Sequence, residues 1–461
     1  MAPTPRTAPA VVIAAPASGS GKTTVATGLM AALKRAGHRV AGFKVGPDFI
    51  DPGYHALATG RPGRNLDPVL VPPAQIAPLY THGAIGCDIA VIEGVMGLFD
   101  GRIQPGVAGP AAGSTAQVAA LLGAPVVLVV DARGQSHSIA ALLHGFSTFD
   151  PGTRLAGVIL NRVGSARHEQ VLRQACDAAG VPVLGAIPRV AELTVPSRHL
   201  GLVTATEHGA QARAAVQAMG ELIGRHVDLA ALLRVGTTTV ATEPWRATDA
   251  ICDPVAGNPV VAVAAGRAFT FSYAEHAELL RAAGAHVAEF DPLVDALPPQ
   301  TAALVLPGGF PEQYPGELSA NEALRRDVDE LATRGPIHAE CAGLTYLMTD
   351  LDGYRMCDVL HGSARFTERL TLGYRDAVAA ADSVLRATGA RSTGHEFHRT
   401  AVEFSTEYPA AWMYRGTDGA TVRDGAVHGG VHASYLHTHP VAEPAAVRRF
   451  VAHAAASKLA G

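Results

Sequence analysis

The hydrophobic positions of this chain fall into two successive series of short apolar runs separated by stretches with helical spacing. The first run, Val11 to Ala14, leads into a loop, after which Val25, Leu29, Ala32 and Leu33 recur at helical intervals until Gly37 supplies a stop. Strands are predicted at Val40 to Phe43, Asp88 to Ile92, Pro125 to Val130, Leu155 to Leu160 and Val181 to Leu184, with a helix over Arg167 to Ala179. Unbroken apolar strands alternating with helices predict a parallel sheet covered on both faces, with ligands at the carboxyl ends of its strands. The pattern weakens from Arg225 to Pro259, where Gly236-Thr237-Thr238-Thr239, Glu243-Pro244-Trp245 and Gly257-Asn258-Pro259 mark a boundary. A second α/β series follows, with strands at Val260 to Ala264, Val287 to Phe290 and Ala303 to Leu306 and a helix over Tyr273 to Ala283. The expected division is a domain over 1–240, a linker over 241–257 and a second domain over 258–461.

Composition narrows this picture. A chain of 461 residues exceeds what one core usually supports, and with 48% hydrophobic and 17% charged residues it is not a largely disordered chain. No apolar run approaches the roughly 20 residues needed to span a bilayer. Five widely spaced cysteines without a CxxC pair suggest neither a disulfide framework nor a zinc ribbon. The run behind the Pro/Ala-rich start is shorter than the roughly 7–15 residues of a signal-peptide core, so a cytoplasmic location is expected. A net charge of −4 without a Lys/Arg-rich run argues against nucleic acid, and an anionic substrate then needs local basic groups or a metal. The 20 histidines are scattered, and most are expected at the surface or satisfied in the core.

Candidate chemistry concentrates at strand ends. In Ala15-Pro16-Ala17-Ser18-Gly19-Ser20-Gly21-Lys22-Thr23-Thr24, small residues let backbone N–H groups turn inward, Lys22 can reach outer phosphates and the Thr23 hydroxyl can ligate Mg²⁺. Pro16 stands where the strict phosphate-loop pattern has Gly, and a Ser/Gly-rich turn is the plain alternative. Asp48 and Asp51, beyond the second strand, fit Mg²⁺ coordination, polarisation of a substrate group, or simply a turn. Glu93 at the end of a buried strand has the place of a metal ligand, and the glycines of Glu93-Gly94-Val95-Met96-Gly97-Leu98-Phe99-Asp100-Gly101 would let backbone pass close to a ligand. In the second series, Gly308 and Gly309 could aim N–H groups at an oxyanion or form a plain turn. Ile337-His338-Ala339-Glu340-Cys341-Ala342-Gly343 reads as a strand, a tight turn and a helix that expose Cys341 at a positive helix end favouring thiolate, although a lone cysteine can equally be inert core. His437, in Ser434-Tyr435-Leu436-His437-Thr438-His439, is the candidate base.

These residues, with Phe43-Lys44-Val45-Gly46-Pro47-Asp48, Asn65-Leu66-Asp67, Ser197-Arg198-His199-Leu200-Gly201-Leu202 and Gly394-His395-Glu396-Phe397-His398, give the whole chain a resemblance to the cobyrinic and hydrogenobyrinic acid a,c-diamide synthases, glutamine-dependent corrinoid amidotransferases. The resemblance implies a dethiobiotin-synthetase-like phosphate-loop domain followed by a class I, triad-type glutaminase domain. It implies that glutamine is hydrolysed at Cys341 with His437 as base and general acid. Ammonia then displaces phosphate from acyl phosphates made with Mg·ATP on two carboxylates of the corrinoid. By motif position, Ser18, Gly19, Ser20, Gly21, Lys22, Thr23 and Thr24 would bind phosphates, Thr23, Asp48 and Glu93 would neighbour Mg²⁺, and Asp51 and Asp100 would lie near the reacting carboxylate or a second metal. Asp48, Asp51 and Asp100 thus join Cys341 and His437 as catalytic candidates, with Gly308 and Gly309 at the oxyanion. Ala339 replaces the first glycine of the usual GxCxG elbow, and His439 stands where the usual HxE carries its orienting Glu, leaving that partner open. Metallation of the macrocycle, order of amidation and assembly stay open, a homodimer being one option. Rival readings are cobyric acid synthase, nickel-sirohydrochlorin a,c-diamide synthase and a partitioning-type P-loop ATPase. Such ATPases usually carry an extra Lys early in the loop, which Pro16-Ala17 lacks.

Overall fold

The computed structural model describes residues 7–104, 106, 109–189, 197, 198, 201, 202, 206 and 209–460. The chain divides into two compact units, Met1–Trp245 and Arg246–Gly461, the break falling inside the 241–257 interval. Among the described residues no helix is long and apolar enough to cross a membrane.

The first unit is built on seven parallel strands: β1 (Ala10–Ala14), β2 (Val40–Val45), β3 (Arg64–Leu66), β4 (Ile89–Glu93), β5 (Val126–Asp131), β6 (Leu155–Val163) and β7 (Val183–Pro188). Their order is β3-β2-β4-β1-β5-β6-β7. The order changes direction beside β1, and in such sheets the crevice at that point takes the ligand. Every residue of β1, β2 and β4 is buried, as continuous apolar runs require when helices cover both faces. Helix α1 (Lys22–Arg35) begins directly after the loop that leaves β1, and α2 (Asp51–Thr59) follows β2. Helix α3 (Gly209–His226) lies close against α1: a Cβ on Gly28 would sit 2.8 Å from the Met219 carbonyl oxygen, so only glycine fits there. The weakly patterned stretch after Arg225 holds two further short helices, Ala247–Ala250 and Leu229–Val235, the latter started by the Asp228 carboxylate accepting the Ala231 N–H at 2.8 Å. Ser197–Arg198 pairs antiparallel with Gly201–Leu202, while His199 and Leu200 of that motif lie outside the described residues.

The second unit contains two sheets. The first comprises β8 (Val260–Ala264), β9 (His286–Phe290), β10 (Thr301–Leu306) and β11 (Ile337–Glu340). Farther along come β12 (Met348–Leu351), β13 (Tyr354–Arg355), the long β14 (Leu360–Ala379) and β15 (Arg391–Phe404), then β16 (Trp412–Arg415), β17 (Thr421–Asp424), β18 (Ala426–His428), β19 (Val431–Ser434) and β20 (His437–Thr438). The order of the first sheet is β9-β8-β10-β11-β19-β18, parallel except for its β18 edge. The second sheet runs β13-β12-β14-β15-β20 and is mostly antiparallel, with β16 paired to β14 and β17 paired to β16. Helix α4 (Ala274–Ala282) follows β8, α5 (Ala342–Leu347) follows β11, and α6 (Pro444–Ala460) closes the chain. The two-residue strand bearing His437 therefore belongs to a different sheet from the strand that delivers Cys341.

Candidate active sites

In the first unit the loop between β1 and α1 turns through two glycines with positive φ, Gly19 at 79° and Gly21 at 94°. Gly21 lies against the Asn161 side chain, whose amide donates to the Ser20 carbonyl at 2.9 Å, and Arg162 donates to the Gly19 carbonyl at 3.0 Å. The end of β6 thus fixes the loop from outside. Ser18 is exposed at its apex, the Ser20 hydroxyl donates to the Ala17 carbonyl at 2.9 Å, and Thr24 is half-buried in the first turn of α1. The first N–H groups of α1 face the same end of the sheet as the loop, the arrangement that receives phosphate. Lys22 donates to the Met96 carbonyl at 2.5 Å, and burial together with the nearby Lys44 charge lowers its pKa to about 8.

Beside the loop lies a buried set of charges. Thr23 Oγ1 donates to Glu93 Oε1 at 2.5 Å and stands 3.4 Å from Asp51 Oδ2. The Lys44 ammonium bonds Asp51 and stands 3.0 Å from Glu93 Oε1 and 3.9 Å from Asp48 Oδ2. His55 Nε2 meets Glu93 Oε2 at 2.7 Å. Burial works against the charge of Lys44, yet Asp51, Glu93 and Asp48 outweigh it and hold the ammonium above its usual range. Burial also opposes the Glu93 charge, but Lys44, His55 and Thr23 hold its carboxyl well below the ordinary value. The Asp51 carboxyl is pushed well above its usual range by burial and by the Asp48 and Glu93 charges. Asp48 caps the start of α2, its Oδ1 accepting the Ile50 and Asp51 N–H groups at 2.8 and 3.0 Å, and leaves Oδ2 toward Lys44. Asp100 is exposed and accepts the Gly97 N–H at 2.9 Å.

A divalent cation fits this donor set. Lys44 shows that a positive group is held where the carboxylates of Asp51 and Glu93 and the Thr23 hydroxyl converge. Among the described residues no cluster of three or more His, Cys, Asp or Glu side chains is arranged to hold a metal unaided.

In the second unit Cys341 sits at the turn between β11 and α5 with φ 51° and ψ −100°, a conformation L-residues rarely adopt. The Gly309 and Ala342 backbone N–H groups point at its sulfur, which lies 3.8 Å from the Phe397 carbonyl on β15. Gly308 instead spends its carbonyl on the Phe271 N–H at 3.0 Å and lies against the His437 ring, so the two donors at the sulfur are Gly309 and Ala342. Burial reverses the expected bias toward thiolate. Burial, reinforced by Glu312, pushes the Cys341 thiol up, and the two N–H groups only partly oppose this.

His437 is fully buried, on β20 opposite His395 of β15. Its Nδ1 stands 3.6 Å from Glu340 Oε2, while Glu340 Oε1 accepts the Thr438 N–H and hydroxyl at 3.2 Å each and faces His338 Nε2 at 3.4 Å. Burial opposes the charge of Glu340, but hydrogen bonds from His338 and His437 hold its carboxyl well below the usual range. His439 turns elsewhere: its Nδ1 accepts the Val441 N–H at 3.3 Å and its ring packs 4.2 Å from that of Tyr273.

The structure thus gathers Lys22, Thr23, Asp51 and Glu93 at one site, with Asp48 and Asp100 at its rim, and groups Cys341, His437 and Gly309 at the other. Sequence reasoning gave no role to Lys44, His55, Glu340 or Ala342. Lys44 carried a usable signal, because a lysine inside a fully buried strand must find a countercharge.

The combination defines a class: a phosphate-loop nucleotide-binding unit joined to a unit with a cysteine elbow of the glutamine amidotransferase kind. Residues 11–203 match the family model described as CobQ/CobB/MinD/ParA nucleotide binding domain, and residues 260–445 match the CobB/CobQ-like glutamine amidotransferase domain. The chain belongs to the cobyrinic and hydrogenobyrinic acid a,c-diamide synthase family of glutamine-dependent corrinoid amidotransferases. It is 70% identical, over 97% of its length and 98% of the relative's, to a Mycobacterium tuberculosis protein named hydrogenobyrinate a,c-diamide synthase. A Streptomyces coelicolor protein of the same name is 55% identical over 96% of this chain and 97% of its own. A Gloeobacter violaceus protein named cobyrinate a,c-diamide synthase is 42% identical over 96% of both chains.

Proposed function

We propose that this protein amidates the a and c carboxylates of hydrogenobyrinic acid, with ATP as activator and glutamine as nitrogen donor, in cobalamin biosynthesis. The observation that carries the reading is the 70% identity to a hydrogenobyrinate a,c-diamide synthase across both units together. The geometry supports it, since each unit contains a site with its own chemistry.

At the second site His437 Nε2 takes the Cys341 proton, and the sulfur attacks the glutamine carboxamide carbon. The Gly309 and Ala342 N–H groups stabilise the resulting oxyanion. The C–N bond breaks, the imidazolium gives its proton to the leaving ammonia, and water hydrolyses the thioester to glutamate. At the first site a substrate carboxylate oxygen attacks the γ-phosphorus, ADP leaves, and ammonia then attacks the acyl carbon and expels phosphate. The loop from Ser18 to Thr24 and Lys22 hold the phosphates, whose negative charge favours the protonated form of Lys22. Thr23 and Glu93 would hold Mg²⁺, with Asp48 beside it, and its charge would neutralise the transferred phosphoryl oxygens. Asp51 and Asp100 would lie near the reacting carboxylate or a second metal.

The test is incubation with Mg·ATP, glutamine and either cobalt-free or cobalt-containing macrocycle, with products identified by mass. Two sequential amidations of the cobalt-free acid are expected, and a clear preference for the cobalt-containing acid would replace it as substrate. Cys341→Ser should abolish glutamine-dependent amidation and spare the ammonia-dependent reaction, whereas Lys22→Ala should impair both. Loss of both activities in Cys341→Ser would refute the division of labour.

A further inference from the structure

We propose that Glu340, the residue immediately before the nucleophile, is the carboxylate that orients His437. This rests on Cys341 and His437 being nucleophile and base. The usual place for such a carboxylate, two residues after the histidine, holds His439, whose Nδ1 is occupied by the Val441 N–H. Glu340 fills the role from another strand. Its Oε2 stands 3.6 Å from His437 Nδ1, and its Oε1 is fixed by the Thr438 N–H, the Thr438 hydroxyl and His338. The carboxylate is therefore anchored on one oxygen and presents the other to the imidazole.

The ring it faces is confined as well. His437 is fully buried, 6.1 Å from the Phe271 ring, and packed so closely on Gly308 that a side chain there would strike it. The Glu340 carboxylate facing Nδ1 at 3.6 Å favours the proton on that nitrogen, which leaves Nε2 unprotonated and able to take the thiol proton. Glu340 keeps its charge while the imidazolium exists, and the proton leaves on ammonia. A burial-raised thiol makes this assistance more important, because the cysteine depends on a base rather than on a standing thiolate.

The titratable groups around the pair are His338 on β11, His395 on β15, His276 on α4, His432 on β19 and His439 beyond β20. Burial lowers the pKa of His276 and His439 to about 4 and of His395 to about 3, and places His432 well below its usual value. These four stay neutral near pH 7, and Glu340 is the carboxylate that faces the His437 ring.

The test uses full-length Glu340→Gln, Glu340→Asp and Cys341→Ser proteins. Glutamine hydrolysis is measured across pH, and amidation is measured with glutamine and with ammonia. Glu340→Gln should lower kcat for glutamine by about 10²–10⁴ with little change in KM, because the tautomer is lost and glutamine binding is not. Removing the anion destabilises the imidazolium, so the acid limb of kcat/KM should move to lower pH by about one unit. Glu340→Asp should recover part of the rate, and ammonia-dependent amidation should persist in all three. A Glu340→Gln kcat within about threefold of wild type, an unmoved acid limb, or loss of both nitrogen sources would each overturn the proposal. Cys341→Ser separates the two readings: glutamine hydrolysis surviving in that variant would instead refute the nucleophile assignment.

Discussion

Lys44→Met is the most direct probe of the first site's buried charges. The side chains of Lys44, Asp51 and Glu93 are 5%, 9% and 0% exposed, so solvent offers little compensation when one is removed. At the 3.0 Å separation from Glu93 and an effective dielectric near 20, the Coulomb attraction is about 5 kcal/mol before desolvation is subtracted. Methionine matches the length of lysine and fills its space, so the effect isolates the charge. It leaves two buried carboxylates without their cation, a change that costs about 3–5 kcal/mol when one partner of a buried pair is deleted. Asp51, already pushed upward, should take a proton and limit the loss to the lower part of that range. With about 2–4 °C per kcal/mol for a unit of this size, the expected drop is about 6–15 °C. The assay is thermal unfolding of the full chain, following the transition that moves with added nucleotide. Mg·ATP should narrow the gap, because a bound cation replaces part of the missing charge. A Lys44→Met transition within about 2 °C of wild type would refute the reasoning.

Two further outcomes follow from the fold. His276, His395 and His439 have pKa values near 4, 3 and 4 in the folded chain against about 6.5 unfolded, so between about pH 6.5 and 4 the unfolded state binds protons that the folded state does not. Stability of the second unit should therefore fall as pH falls through that window. Asp424, pushed up to about 7, opposes this with roughly the weight of one histidine, leaving a net loss on the order of a few kcal/mol. Urea midpoints at pH 7 and 4.5 check it, and an equal or higher midpoint at the lower pH would contradict it. Gly28→Val should drive a side chain into the Met219 carbonyl and separate α1 from α3, costing about 1–3 kcal/mol. A nucleotide-responsive transition that melts together with wild type would show that the helices can part without strain.

The first unit was the more legible half because a parallel sheet buried on both faces writes each strand as an uninterrupted apolar run. Six of its seven strands were predicted to within a few residues, the three-residue β3 being missed, and the acid at the end of β4 stood out because Glu93 interrupts Ile89 to Ile92 where a buried strand stops. The helix Leu229–Val235 was missed, being one short Leu/Ala segment inside a region dominated by turn residues. In the second unit the parallel strands β8 to β11 and the elbow were visible, whereas β19 and the sheet built on β14 and β15 were not. Most positions of β14 are half-buried or exposed and most of β15 half-buried, without strict alternation, and a bulge between Phe366 and Thr371 shifts their register, which blurs the pattern along the sequence.

The second site shows why motif spacing transmits some roles and hides others. A backbone donor follows automatically from an elbow: once Cys341 turns with positive φ, the N–H of Ala342 at the start of α5 points at the sulfur. An orienting carboxylate has no such local rule. It must reach one ring nitrogen in space, and any strand end beside the histidine can supply it. Residues two apart on a strand share a face, which makes the position of His439 a natural place for the acid. Here β20 is only His437–Thr438, and the chain beyond it turns at His439 toward Val441 and Tyr273. The end of β11 occupies the vacated direction, and Thr438 holds Glu340 there through both its N–H and its hydroxyl. Thr438 is thus the link between the strand bearing the base and the strand bearing the nucleophile, a relation across two sheets that no interval along the sequence records.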